Sequence, residues 1–263
     1  ARTDGQRRQC GLARRALGRW ERVPRADRGA AHAGAVYTRT SLENGLSLTK
    51  KQTLWMLLLF AGLWILALAI WQQSELDRRI VFAHEALRQH TSLILFLSLV
   101  SRYGMGAIFV VTLAYLLPFT RPAFRKSRTI YLLMFLAFVL SGLSSEGLKM
   151  LIGRSRPFIA YSGQIEPVTR PITYSFPSSH ATESTALILP FLVFVRKESR
   201  SAFLLKLVLV TVALTVCYSR IALGVHFLSD VLAGVGVALV CFPAAVWATH
   251  AAMARWRWKK TRL

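Results

Sequence analysis

Eight residues in three short stretches carry the side chains that phosphoryl chemistry needs. The stretches are Lys149-x6-Arg156-Pro157, Pro177-Ser178-Ser179-His180 and Ser219-Arg220-x5-His226-x3-Asp230. Arginine and lysine bind phosphate by charge and by directional hydrogen bonds. One histidine can attack phosphorus beside a carboxylate that orients it, and the other can protonate the leaving oxygen. The three stretches therefore indicate chemistry on a phosphate ester.

The first stretch supplies two cations at the end of an apolar run. Lys149 and Arg156 are seven residues apart and share a helical face if the helix continues. Gly153 and Pro157 favour a break between them. Snorkelling of the two side chains to the membrane boundary is the alternative to phosphate binding, and it is weaker for Arg156.

The other two stretches each open an apolar run. Ser178 and Ser179 precede one run, where a helix start offers free backbone N–H groups to a phosphate, although serine also caps helices. Capping does not explain His180. His226 and Asp230 are four residues apart and are neighbours on a helical face. A carboxylate there fixes the histidine tautomer, although a salt bridge at a helix start has the same spacing.

The composition is that of a membrane protein with clustered positive charge. The 263 residues are 54% hydrophobic, with a mean hydropathy of +0.41 and a formal net charge of +22. A soluble domain of this length is rarely so apolar. The basic residues lie mostly in the N-terminal stretch and between apolar runs, which favours cytoplasmic loops over a nucleic-acid-binding surface.

Six apolar runs predict an all-α fold, a polytopic bundle of six transmembrane helices. They cover residues 54–71, 91–120, 129–151, 181–195, 202–219 and 226–249. Arg102 interrupts the second run. Either its side chain snorkels to one membrane face or the first part of the run lies flat, and Gly104 and Gly106 would permit a bend.

A polar but periodic segment, residues 72–90, separates the first two runs. Leu76, Ile80, Ala83 and Leu87 fall on one helical face. This pattern predicts an amphipathic helix at the outer membrane surface. A connecting helix that packs on the bundle fits the pattern equally well.

Basic residues between the runs predict the orientation. They precede the first run and follow the second, fourth and sixth runs. The second run is followed by Arg121, Arg125, Lys126 and Arg128, the fourth by Arg196, Lys197 and Arg200, and the sixth by Arg255, Arg257, Lys259, Lys260 and Arg262. By the positive-inside rule these segments are cytoplasmic. Both termini then lie inside, and the three polar stretches share the outer face. In a bacterial inner membrane this face is the periplasmic or exterior side.

Residues 1–50 differ from the rest of the chain. They hold ten arginines and four acidic residues, with no long apolar run. We expect a basic, disordered tail, with a targeting segment or residues translated from upstream of the true start as alternatives. Residues 51–252 are predicted to form the six-span domain, and residues 253–263 a basic cytoplasmic tail.

The three stretches, in this order, resemble the signature of the membrane-bound type 2 phosphatidic acid phosphatase superfamily. The resemblance implies that His226 is a nucleophile that forms a phosphohistidine, that Asp230 orients it, and that His180 is the general acid. It also implies a reaction without metal or cofactor, with phosphate bound by Lys149, Arg156, Ser178 and Arg220. The family usually has glycine at position 179, where Ser179 either narrows the phosphate pocket or supplies an additional donor.

These features predict a phosphatase that acts on a lipid phosphate or pyrophosphate at the outer leaflet. Undecaprenyl pyrophosphate, phosphatidylglycerol phosphate, phosphatidic acid and lipid A are the candidate substrates. A phosphotransferase that uses the same phosphohistidine is one alternative. A transporter is a weaker one, because its polar residues would lie at mid-membrane depth rather than at the ends of the runs. The cysteines, Cys10, Cys217 and Cys241, have no C-x-x-C spacing and indicate neither a disulfide framework nor a zinc site.

Overall fold

The computed structural model describes residues 46–116, 123–195 and 200–260. Within these ranges every regular element is a helix, so the all-α prediction is confirmed. The helices are α1 (Lys50–Gln73), α2 (Glu75–Ala83), α3 (Glu85–Arg88), α4 (Thr91–Leu116), α5 (Ala123–Ile152), α6 (Pro157–Ala160), α7 (Ser179–Phe194), α8 (Arg200–Ala222) and α9 (Leu228–Lys260).

Among the described residues, five segments are long and apolar enough to cross a membrane. They are Lys50–Gln73, Thr91–Thr112, Thr129–Ala160, Arg200–Ala222 and Leu228–Ala254. The remaining predicted span corresponds to α7, which has 16 residues and a length of about 24 Å. This helix lies inside the bundle and contacts α4, α5, α8 and α9. Because protein rather than lipid surrounds α7, bilayer thickness does not set its length.

Helix α4 continues without interruption past Arg102, Gly104 and Gly106. A side chain at Gly104 would place its Cβ 2.6 Å from a methyl group of Val216 on α8. The glycine therefore serves the close approach of α4 and α8. Since the helix is continuous, the first part of this run does not lie apart from the span.

The segment between α1 and α4 packs on the bundle as two short helices. Its buried residues are Asp77 and Val81, whereas Leu76 is 43% exposed. Of the predicted apolar face, Ile80 and Leu87 pack against buried clusters, as the alternative of a connecting helix on the bundle expects, whereas Asp77 rather than Leu76 is buried. Asp77 is buried because its carboxylate accepts hydrogen bonds from Arg154, at 2.9 Å, and from the backbone N–H of Ser229, at 3.1 Å.

The outside of the bundle is apolar along its spans, as expected of a surface that contacts lipid. Examples of exposed side chains are Leu58, Ile65 and Leu207. Most of the basic side chains that predict the orientation, and residues 1–45, lie outside what the structure describes. The orientation and the N-terminal tail therefore stay predictions.

Candidate active site

Four helix ends meet at one end of the bundle and bring the three stretches together. α5 and α8 end there, and α7 and α9 begin there. These ends surround a cavity of about 570 Å³. Six of the eight predicted residues line it, namely Lys149, Arg156, Ser179, His180, Arg220 and His226. The other two, Ser178 and Asp230, are fully buried behind the cavity wall.

The two ring nitrogens of His226 have different partners. Nδ1 lies 3.4 Å from Oδ2 of Asp230, and Nε2 lies 3.1 Å from Nη1 of Arg156. Because a guanidinium only donates hydrogen bonds, Nε2 accepts and Nδ1 carries the ring proton toward the carboxylate. The lone pair of Nε2 is therefore on the Arg156 side, where a phosphate bound by that arginine would lie.

His226 lies in the connection between α8 and α9, where its surroundings keep it neutral. Burial lowers the pKa of His226 to about 4, the Asp230 carboxylate opposes this shift, and the charges of Arg220 and Arg156 add to it. A neutral imidazole is the form that attacks phosphorus. The free protein therefore holds its candidate nucleophile ready at neutral pH.

Several donors fix the Asp230 carboxylate. Oδ2 accepts hydrogen bonds from the Ser175 hydroxyl and from the backbone N–H of Phe227, the latter at 2.8 Å. Oδ1 accepts one from Nη1 of Arg154 at 2.5 Å. With both oxygens bound, the carboxylate has a single orientation toward the imidazole of His226. The role of Ser175 was missed from the sequence because serine in a loop carries no distinguishing pattern.

Arg154 joins the Asp230 carboxylate to the segment between α1 and α4. Its Nη2 lies 2.9 Å from Oδ2 of Asp77 on α2. Its guanidinium carbon lies 4.2 Å from the ring centroid of Phe227 and 4.6 Å from that of Trp71. Two carboxylates and two aromatic faces thus fix one arginine. The sequence offered one signal for it, a second arginine two residues before Arg156.

The guanidinium of Arg156 is fixed in front of His226. Nε donates to the carbonyl oxygen of Thr173 at 2.6 Å, and Nη2 donates to its hydroxyl at 3.0 Å. Nη1 donates to the carbonyl oxygen of Val225 at 3.0 Å. The predicted break after Lys149 is present, since α5 ends at Ile152 and Arg156 directly precedes α6. It lets Arg156 turn back toward α9.

Lys149 is paired with a carboxylate that lies outside the three stretches. Its Nζ lies 2.7 Å from Oε1 of Glu146, and the same oxygen accepts the hydroxyl of Ser179 at 2.7 Å. Ser179 also lies 3.0 Å from the hydroxyl of Ser145. The Ser179 hydroxyl is therefore hydrogen-bonded to the side chains of Glu146 and Ser145. Glu146 was detectable, because it stands three residues before Lys149 on the same helical face.

Ser178 fixes the start of α7 through its backbone. Its N–H donates to the carbonyl oxygen of Asp230 at 2.9 Å. A Cβ at Gly234 would lie 2.6 Å from the Ser178 carbonyl oxygen, so the glycine permits this contact with α9. The Ser178 hydroxyl makes no capping hydrogen bond, and the structure does not bring it to the cavity wall. His180, in the first turn of α7, does reach the cavity.

Helix α4 forms a wall of the cavity that the sequence did not predict. Arg220 donates from Nη1 to the hydroxyl of Ser101 on this helix. Ser98 and Arg102, on the same helix, also line the cavity. Four cationic side chains in all face this space, together with the carboxylates of Glu146 and Glu183.

Among the described residues, no group of three or more His, Cys, Asp or Glu side chains is placed to hold a metal ion. The side chains around the cavity are of the types that bind a phosphate and move a proton.

Comparison with known proteins gives consistent matches. A sequence model of the PAP2 superfamily matches residues 130–254. Phosphatidylglycerophosphatase B of Bacillus subtilis is 35% identical over 118 residues, which are 42% of this chain and 54% of that protein. Undecaprenyl-diphosphatase of Sulfolobus acidocaldarius is 29% identical over 136 residues, 51% of this chain and 60% of that protein.

A solved structure is similar over a larger share of the chain. The crystal structure of a transmembrane PAP2-type phosphatidylglycerolphosphate phosphatase from Bacillus subtilis has a TM-score of 0.55 and is 26% identical in sequence. The match covers 72% of this chain and 93% of that one. The resemblance to the PAP2 superfamily is thus confirmed. The chain spans little more than half the length of the two curated relatives that it matches.

Proposed function

We propose that this protein is an integral membrane phosphatase that hydrolyses a lipid phosphate or diphosphate through a phosphohistidine on His226. The position of His226 supports this most directly. Its Nε2 lies 3.1 Å from Arg156 on a basic cavity wall, and its Nδ1 faces the Asp230 carboxylate. An attacking nitrogen, an orienting carboxylate and a phosphate-binding cation are thereby assembled at one point.

The first step transfers the phosphoryl group to the protein. Arg156, Lys149 and Arg220 bind the phosphate oxygens, and Nε2 of His226 attacks phosphorus. As the N–P bond forms, the bond from phosphorus to the leaving oxygen breaks, and His180 donates its proton to that oxygen. Asp230 stabilises the positive charge that develops on the His226 ring.

The second step regenerates the protein. His180, now neutral, takes a proton from a water molecule whose oxygen attacks phosphorus. The N–P bond breaks, inorganic phosphate leaves, and His226 returns to its neutral form. Lys149 pairs with Glu146 at 2.7 Å and has two further N–H donors for the phosphate.

The position of the cavity suits a membrane substrate. It opens where the spanning helices end, so a headgroup can reach His226 while its hydrocarbon stays in the bilayer. The two curated relatives are named for phosphatidylglycerophosphate and for undecaprenyl diphosphate. The distribution of basic residues supports an outer-leaflet site in a bacterial inner membrane.

The test is phosphate release by the purified protein in detergent. The substrates are undecaprenyl diphosphate, phosphatidylglycerol phosphate, phosphatidic acid and lipid A. His250→Ala is the matched control for His226→Ala, because His250 is a half-buried histidine further along α9 that bonds the Leu46 carbonyl. We expect release from at least one lipid by the wild type and by His250→Ala, and none by His226→Ala.

Two results would contradict the proposal. Absence of phosphate release from every lipid, with a folded protein, would exclude this hydrolase activity. Transfer of labelled phosphate to a lipid or alcohol acceptor instead of water would identify a phosphotransferase.

A further inference from the structure

Residues 168–175, which we call the strap, connect α6 to α7 beside the cavity and form neither helix nor strand. Backbone hydrogen bonds hold both ends of the strap. The N–H of Val168 donates to the carbonyl oxygen of Leu223 at 3.4 Å, and the N–H of Ser175 donates to that of Arg154 at 2.8 Å. The strap is thereby tied to the chain just after α8 and just after α5.

Alternate residues of the strap face the active site. Three of them line the cavity, namely Thr169, Pro171 and Thr173. Thr173 accepts two hydrogen bonds from the guanidinium of Arg156, at 2.6 and 3.0 Å. The hydroxyl of Ser175 donates to the carboxylate of Asp230. The odd-numbered residues therefore form an inner face, which the groups of the site hold in place.

The residues between them are exposed and do not line the cavity. They are Val168, Arg170, Ile172 and Tyr174. Alternation of this kind gives a chain two faces, and these four residues make up the exposed face of the strap. Ile172 is fully exposed, at 101%. Neighbouring apolar side chains that are all exposed mark a surface that contacts a partner or a membrane.

The exposed face of the strap continues the lipid-facing surface of α5. A Cβ at Gly153, the residue that follows α5, would lie 3.9 Å from the ring of Tyr174. Met150 and Leu151, in the last turn of α5, are 77% and 83% exposed and belong to a segment that is apolar and long enough to cross a membrane. Tyr174 therefore lies where a spanning helix leaves the hydrocarbon, a depth at which tyrosine is enriched.

The chemistry of the exposed face fits the boundary between acyl chains and headgroups. Ile172 is apolar, Tyr174 is an aromatic residue with a polar end, and Arg170 is a cation that anionic headgroups attract. The inner face already fixes the strap, so contact with lipid requires little further loss of conformational freedom. A lipid surface therefore accounts for the apolar side chains, the cation and the position of this face together.

We propose that the exposed face of the strap is a lipid-binding surface, with Ile172 buried at the edge of the acyl chains and Arg170 on the phosphates of anionic lipids. The cavity lies on the other side of this one short segment. Lipid contact at the strap holds the cavity at the level of the headgroups, so that a phosphate reaches Arg156 while its hydrocarbon stays in the leaflet. Only this last consequence rests on the proposed phosphatase function.

The direct test is the depth of position 172 in proteoliposomes of phosphatidylcholine and phosphatidylglycerol. Bromine on the acyl chains close to the headgroups quenches tryptophan that lies in the lipid, and iodide quenches tryptophan that is exposed to water. We expect brominated lipid, and not iodide, to remove the fluorescence that Ile172→Trp adds to the wild-type signal. Gln164→Trp is the matched control at an exposed polar position in the turn before the strap, and it should show the reverse.

Two results of this test would overturn the proposal. Quenching of the Ile172→Trp signal by iodide and not by brominated lipid would place the exposed face in water. Protection from both quenchers would mean that protein covers it, such as a second copy of the chain. Neither result depends on whether the protein hydrolyses a phosphate.

A second test compares kinetics on two substrates with one headgroup. They are the candidate lipid that the wild type hydrolyses fastest, embedded in vesicles, and a short-chain analogue that dissolves as monomers. Ile172→Asn should raise KM for the embedded lipid by up to about tenfold, as the lost burial of one large apolar side chain predicts. It should leave kcat and KM for the analogue unchanged. Ile172→Leu, which stays apolar, should match the wild type on both substrates.

Equal changes on both substrates would show that Ile172 supports the site itself, and no change on either would show that its contact with lipid is without consequence. Both results would contradict the proposal. A wild type that is inactive on every lipid would instead contradict the phosphatase function, and the quenching result would then still decide whether the strap binds lipid.

Discussion

Replacement of Arg154 by methionine should weaken both the fold and the reaction, although Arg154 does not line the cavity. The substitution keeps an unbranched side chain between Trp71 and Phe227 and removes the charge. Asp77 and Asp230 then each lose a partner, at 2.9 and 2.5 Å. Loss of one member of a buried ion pair destabilises a protein by about 3–5 kcal/mol. For a chain of this size that corresponds to a decrease in Tm of roughly 6–20 °C.

The effect on the rate should be smaller than that of losing Asp230 itself. After the substitution, Oδ2 of Asp230 keeps the Ser175 hydroxyl and the Phe227 N–H, and only Oδ1 is left without its donor. One hydrogen bond to a charged group contributes about 1.5–3 kcal/mol. If that amount is lost in the transition state, kcat falls by about 10- to 100-fold. The KM should change little, because Arg154 does not contact the phosphate.

The assay measures kcat, KM and Tm for Arg154→Met, Arg154→Lys and the double variant Arg154→Met/Asp77→Asn. Lysine should restore part of the rate by pairing with one carboxylate. The double variant should recover part of the Tm, since the unpaired Asp77 charge is gone, without recovering kcat. Arg78→Met is the matched control: Arg78 also pairs with a carboxylate and lies over an aromatic ring, but at the surface. A normal kcat in folded Arg154→Met would refute the positioning role of Arg154.

Three further outcomes are expected. His226→Ala should abolish phosphate release while its Tm stays close to that of the wild type, because no other cavity residue offers an imidazole beside Asp230; substantial turnover would show that the nucleophile is another residue. The rate should be bell-shaped in pH, since His226 must be neutral and His180 protonated. Burial lowers the pKa of His226 to about 4 and that of His180 to about 3, so both limbs of the kcat/KM profile should lie below the usual histidine value of about 6.5. In sealed right-side-out vesicles the profile should follow external pH, whereas dependence on internal pH would invert the orientation. Activity should survive EDTA and be blocked by vanadate, which adopts the geometry of the phosphoryl transition state; a strict requirement for a divalent metal would exclude the proposed mechanism.

Much of the fold was predictable because hydropathy and helix-breaking residues act locally. Runs without charge identified the spans, and Gly153 with Pro157 marked the break that turns Arg156 toward α9. The spacing of His226 and Asp230 correctly gave neighbouring side chains, 3.4 Å apart. Each of these features depends on residues close together in the sequence.

The remaining features depend on contacts between distant segments. Asp77 meets Arg154 and Ser229 across intervals of 77 and 152 residues, and no periodicity reports such a pairing. The burial of Asp77 instead of Leu76 was missed for this reason, since a carboxylate in a sequence predicts a surface residue. Arg102 was interpreted by its relation to the membrane, whereas its position on a cavity wall follows from how α4 packs on α7 and α8.

The most direct test of the mechanism is to trap the covalent intermediate. The purified protein is mixed with a lipid phosphate labelled with ³²P in the scissile group, quenched within milliseconds in alkali, which preserves phosphohistidine, and digested for peptide mapping. The label should be on the peptide that contains His226, should be absent from His226→Ala, and should persist on His250→Ala. Label on any other residue, or steady turnover of substrate with no labelled protein at any time, would contradict a phosphohistidine on His226.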